Sequence, residues 1–109
     1  MKNKGIRKQS DKQRKIEQKR FSILTDNLQR CYECGKTKDQ IKIDIHEIYK
    51  GSNRKASMVN GFCVPLCREC HQRTENDIKF YRKFQKICKD RFLETHDLSE
   101  FIAILGKSF

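Results

Sequence analysis

Absent from these 109 residues is any apolar run long enough to span a bilayer or to form a secretory signal, and Met1 leads straight into charge. The expected setting is the cytoplasm, with no membrane partner. Hydrophobic residues are scarce at 36%, which is thin for a self-sufficient core in one small domain. Something besides burial has to hold such a chain. Acidic residues are also few, 14 against 25 Lys and Arg, which leaves a formal net charge of +11. There is no internal repeat, and no low-complexity stretch outside the basic N-terminal segment.

Six cysteines are present, and four fall into two Cys-x-x-Cys pairs, Cys31 with Cys34 and Cys67 with Cys70. In a reducing compartment such pairs are metal ligands before they are disulfides. Each pair offers two thiolates from one tight turn, and two pairs complete a tetrahedron. Four thiolates close the site to water, so the expected role is structural zinc, worth on the order of 10 kcal/mol to folding. That offsets the thin core. A thioredoxin-like redox site would need one such motif in a βαβ pattern, and none is visible. Cys63 and Cys88 read as ordinary buried thiols.

The charge is unevenly spread. Residues 1–20 carry nine Lys or Arg against two acids, a skew that suggests a polyanionic partner met by a basic arm. Residues 1–10 lack periodicity. From Asp11 to Gln29, good helix formers with Ile16, Phe21, Leu24 and Leu28 at helical spacing predict a basic amphipathic helix, its Lys12, Arg14, Lys15, Lys19 and Arg20 facing solvent or phosphate.

"CYECGK" then reads as a knuckle in which Gly35 turns the backbone so that amides approach the thiolates. Ile41, Ile43 and Ile45 alternate with Lys42, Asp44 and His46, predicting a strand with Asp44 and His46 on a polar face opposite the isoleucines. "YKGSNRKASMVNG" reads as a loop carrying Lys50, Arg54 and Lys55. "FCVPL" reads as a short second strand with Pro65 at an edge. A helix is expected from about Thr74 to Glu94, with Ile78, Tyr81, Phe84, Ile87, Cys88 and Phe92 as its stripe. Phe80, Tyr81 and Phe84 read as core and not as base-stacking platforms. Asp97 with Glu100 marks a last short helix carrying Phe101, Ile104 and Leu105 and stopped by Gly106.

Strand, loop and strand between two Cys-x-x-Cys pairs, with a helix and His71 after the second, is the order of a ββα-metal finger. "HEIYKGSNRKAS" and "VPLCRECH" over residues 31–80 resemble small phage-type members of the HNH endonuclease family. The resemblance implies a small α+β fold: a ββα-metal finger stabilised by a four-cysteine zinc site, flanked by a basic N-terminal helix and C-terminal helices. The divisions are residues 1–30 for the arm and its helix, 31–80 for the finger, and 81–109 for a helical extension packed on it. It also implies divalent-metal-dependent hydrolysis of DNA phosphodiester bonds, with Mg2+, Mn2+ or Ni2+ as the catalytic ion.

In that family one divalent ion contacts the scissile phosphate, a first-strand histidine activates water, an asparagine orients it and the helix supplies a ligand. His71 falls on the helix ligand. The first-strand signature is two adjacent residues, a metal-binding His or Asp and then the base His, and the chain matches it in neither of two registers. In one, His46 is a ligand and Glu47 takes the place of the base. In the other, His46 is the base and Ile45 stands where a ligand belongs, with Asp44 reaching the ion only through a bulge or a rotated strand. The asparagine's place holds Phe62, leaving Asn60 and Asn53 as candidates, Asn60 being favoured on geometry. Lys50, Arg54, Lys55, Lys12, Lys15 and Lys19 are the DNA-contacting candidates. The missing adjacent histidine keeps two readings open beside the nuclease. One is a degenerate zinc module that binds nucleic acid or a phage or host protein without cleaving. The other is a basic inhibitor. A homodimer through the first helix also stays open.

Overall fold

The structure, a computed structural model, describes residues 20–109. The expectations for Lys12, Arg14, Lys15, Lys19 and the first part of the arm helix lie outside the described residues.

Alternation of β-branched and polar residues gives the strand expected over the isoleucines, β1 (Ile43–Glu47), and it pairs antiparallel with β2 (Cys63–Cys67). The register sets Ile43 opposite Cys67, His46 opposite Val64 and Glu47 opposite Cys63. Pro65 is tolerated because a two-stranded sheet has only edge strands.

Between the strands the sequence predicts a loop. The structure instead has a 3-10 turn over Gly51–Asn53 and a helix α1 (Arg54–Asn60). Two features make the helix possible. The Ser57 hydroxyl donates to the Tyr49 carbonyl at 2.8 Å and accepts from the Tyr49 amide at 3.2 Å, tying the helix back to the end of β1. Gly61 then ends it in the left-handed region, with φ +72°. A Cβ there would also meet the Phe21 ring, which would have to shift to admit it.

After β2 come α2 (Arg68–Asn76), α3 (Ile78–Phe92) and α4 (Leu98–Leu105). The single helix expected from Thr74 is two helices, and the first begins earlier, at Arg68. The Cys67 sulfur caps α2 by accepting from the Cys70 amide, and Thr74 lies within the helix. Asp77 starts α3 by accepting from the amides of Lys79 and Phe80. Its buried stripe is Phe80, Phe84, Cys88 and Phe92, whereas Ile78 is exposed. The boundary drawn between residues 80 and 81 falls inside α3. The capping box of Asp97 and Glu100 and the stop at Gly106 stand as expected for α4.

The segment 20–29 is not helical, contrary to the expectation from its spacing. It is drawn along the sheet instead: Ser22 donates to the Cys63 carbonyl at 2.6 Å, the Cys63 thiol donates to the Phe21 carbonyl at 3.1 Å, and the Ile23 amide donates to the Gly61 carbonyl at 3.0 Å. These contacts outweigh helix propensity. One continuous core results, running from Leu24 and Cys31 through Tyr49, Phe62 and Phe84 to Phe101 and Leu105.

Among the described residues no helix is long and apolar enough to cross a membrane.

Candidate metal centres

The first cysteine turn is closed by the Gly35 amide on the Cys31 carbonyl at 2.9 Å and the Cys31 amide on the Lys36 carbonyl at 2.7 Å, with Gly35 at φ +81° as its place in the motif requires. The Cys34 amide then lies 3.4 Å from the Cys31 sulfur, and the Cys70 amide 3.4 Å from the Cys67 sulfur. β2 carries Cys67 and the first turn of α2 carries Cys70, so pairing the strands brings the two turns together. All four sulfurs lie within 4.8 Å of one another. The Cys34 and Cys67 sulfurs are 3.7 Å apart, and a tetrahedron with metal–sulfur bonds of about 2.3 Å has edges of about 3.8 Å. Cys31, Cys34, Cys67 and Cys70 are therefore positioned to hold a metal ion. Burial by itself would raise the Cys31 thiol, but the surrounding amides outweigh it and bring it to about 7. Cys63 and Cys88 are buried away from the cluster, and burial pushes them up to about 11 and about 12.

A second cluster forms one residue further along the same turn. His71, on α2, projects toward β1 and shares a 3.0 Å hydrogen bond through Nδ1 with Asp44 Oδ2. An ionised carboxylate only accepts, so Nδ1 is the donor, and in the neutral ring it is Nε2 that carries the lone pair. Arg68 grips the same carboxylate through Nε at 2.9 Å and Nη2 at 3.3 Å. Burial works against the charge on Asp44, but His71 and Arg68 outweigh it and lower the carboxyl below its ordinary value.

His46 follows on the same face of β1, as expected, but that face is covered. The ring is 1% exposed and makes edge-to-face contacts with His71, Tyr81 and Phe84 at centroid distances of 5.3, 5.9 and 6.2 Å. Ile43 and Ile45, expected to be the buried face, are only half-buried. The inversion arises because His71 of α2 and Tyr81 and Phe84 of α3 pack against the Asp44 and His46 side, while the other side meets the irregular segment from Arg20. Both His46 ring nitrogens are buried without a hydrogen-bond partner. Burial, then the charges of His71 and Lys50, hold this histidine down to about 3, so the ring is neutral near pH 7.

Glu47 is not brought to His46. Adjacent strand residues face opposite ways, and Glu47 pairs with Arg20 behind the sheet, where both side chains are largely buried. Arg20, expected to face solvent or phosphate, is thus tied down. Glu47 Oε1 and Arg20 Nε have no further partner. Asn60 donates its amide to the Ala56 carbonyl of its own helix at 2.8 Å, and Asn53 stands at the start of α1. Arg54 and Lys55 are exposed, and Lys50 lies over the Tyr81 ring at 5.0 Å. A recess of about 560 Å3 opens beside the cluster, its polar lining supplied by Asp44, Arg68, His71, Gln72 and Glu75.

Asp44, weighed from the sequence as a ligand reaching the ion only through a bulge or a rotated strand, joins the cluster instead by holding His71, and Tyr81, read as core, packs against His46. Asp44 was legible as the i−2 neighbour of His46 on one strand face. Tyr81 was not, because it comes from a helix whose placement only the fold supplies. No family model, curated protein or solved structure matches this chain.

Proposed function

We propose that β1, β2 and α2 form a ββα-metal finger of HNH type, with zinc on the four cysteines and a catalytic divalent ion held by His46 and His71. The function is then metal-dependent hydrolysis of DNA phosphodiester bonds. The observation that carries this reading is the orphaned His46 ring. Burying two polar nitrogens without partners costs about 1–3 kcal/mol or more, and native interiors seldom leave such groups unpaired. A cation bound by one nitrogen of the neutral His46 and by Nε2 of His71, whose rings lie 5.3 Å apart between centroids, would relieve the part of that cost that falls on the ligating nitrogen.

Such an ion, when bound, supplies a Lewis acid for the scissile phosphate and for its leaving oxygen. Asp44 holds His71 in the tautomer that leaves Nε2 free. Phe84 and Tyr81 keep bulk water from His46. Arg68, at the mouth of the recess, is a guanidinium that can also bind a phosphate oxygen. At 1% exposure and with its basicity depressed, His46 suits a ligand better than a general base.

The placement of Glu47 favours a second reading, in which the finger binds nucleic acid without cutting it, since the residue aligned with the family's base points away from the cluster. Nicking of supercoiled plasmid by zinc-retaining protein, titrated with Mg2+, Mn2+ and Ni2+, separates the two. The nuclease reading expects metal-dependent nicking that falls at least about 100-fold in a folded His46→Ala variant. Salt-sensitive binding with no nicking under any of the three ions would leave the binding module in its place.

A further inference from the structure

The basic arm and the α1 cations do not account for a third concentration of charge. Along α3, Arg82, Lys86 and Lys89 recur at intervals of four and three residues, about one per helical turn of 5.4 Å, and Lys107 joins them from beyond α4. These residues, with Tyr81 and Phe109, line a groove of about 640 Å3. Its one lining side-chain carboxylate, Asp90, is 2.9 Å from Lys86 Nζ, and Lys89 Nζ donates to the Phe109 main-chain oxygen at 3.4 Å, which leaves Arg82 and Lys107 as the groove's unneutralised cations. Aromatic surface is interleaved with it: Phe109 is 42% exposed, and Lys107 lies 4.7 Å over its ring. At the other end the groove reaches the histidine cluster, because Tyr81 lines the groove and also packs against His46.

We propose that this groove binds a single strand of nucleic acid, its phosphates on Arg82, Lys86, Lys89 and Lys107 and a base on Phe109. Regularly spaced cations beside the exposed Phe109 ring match a chain that alternates phosphates with flat bases. The inference extends the nucleic-acid part of the reading above and does not depend on cleavage.

The test is fluorescence anisotropy of a labelled oligothymidylate with the full, zinc-retaining chain, in buffer free of Mg2+, Mn2+ and Ni2+. The three groove side chains Arg82, Lys86 and Lys107 are exposed, so their combined change to Gln should leave the fold intact. That triple variant is expected to bind about tenfold or more weakly, with the slope of log K against log salt reduced by about 2. A charge-matched variant at Lys36, Lys38 and Lys42 is expected to stay within about twofold of the parent. Phe109→Ala should weaken binding about fivefold through lost stacking.

Equal binding by the groove and control variants would overturn the proposal. So would an equal loss for duplex DNA, or displacement by polyglutamate as effective as by oligothymidylate. Groove-dependent strand binding without nicking would uphold this inference and reject the nuclease. Metal-dependent nicking with groove-independent binding would do the reverse.

Discussion

One turn of chain, Cys67 to His71, serves two clusters that differ in kind. The cysteine cluster is complete: four sulfurs within 4.8 Å of one another, with an amide directed at one sulfur of each pair. The histidine cluster is incomplete: Asp44 fixes His71, while the two nitrogens of His46 meet no donor or acceptor. The contrast teaches that closure and openness can be read from hydrogen-bond accounting before any ion is placed. A site with every position filled holds a fold together. A buried polar group left without a partner is either a defect or the seat of something bound.

The contrast breaks most decisively at Cys67. Cys67→Ser removes a sulfur at the join of β2 and α2, and is expected to abolish zinc retention and the cooperative thermal transition followed by circular dichroism. A variant that still melted cooperatively near the parent temperature would show that burial alone suffices. Asp44→Asn acts on the other cluster. The amide cannot hold the Nδ1 proton of His71 as a carboxylate does, so affinity for Mn2+ measured by calorimetry should fall about 10- to 100-fold with zinc content unchanged.

Glu47→Gln sharpens the comparison from behind the sheet. It leaves Arg20 without its charged partner in a largely buried place, and the expected cost is about 2 kcal/mol by urea denaturation, discounted for the residual exposure of the pair. Nicking per folded molecule should be unchanged, and a large loss would restore Glu47 to the chemistry. The gentlest test counts thiols. Native zinc-loaded protein should react slowly with an alkylating reagent at about pH 8. Chelation should expose all six sulfurs together, Cys63 and Cys88, pushed up to about 11 and about 12 by burial, becoming reactive because the loss of zinc opens the fold around them.

The legible parts of this molecule were those where chemistry is local. The Cys-x-x-Cys spacings, the alternation over Ile43–Glu47, Gly35 in its turn and the box at Asp97 each encode their geometry within a few residues. Less legible was whatever depends on what packs where. Alternation gave the two faces of β1 but not which one the helices cover, so His46 is buried where a polar face was expected. α1 was hidden because its stability comes from Ser57 bonding back to Tyr49 and from Gly61. Over residues 20–29 helical spacing was overruled by hydrogen bonds to the sheet. The pairing of Arg20 with Glu47 spans 27 residues, and no short motif announces it.

The direct pairing of Ile43 with Cys67 has a consequence for fidelity. A strand as short as five residues has little side-chain pattern with which to choose its alignment, and a slip of one position turns every side chain to the opposite face. Here such a slip would exchange His46 for Glu47 at the junction with α2. Because the last residue of β2 is itself a member of the cysteine cluster, a metal bound there acts as an alignment key for the sheet: it decides which of two adjacent side chains the second cluster receives.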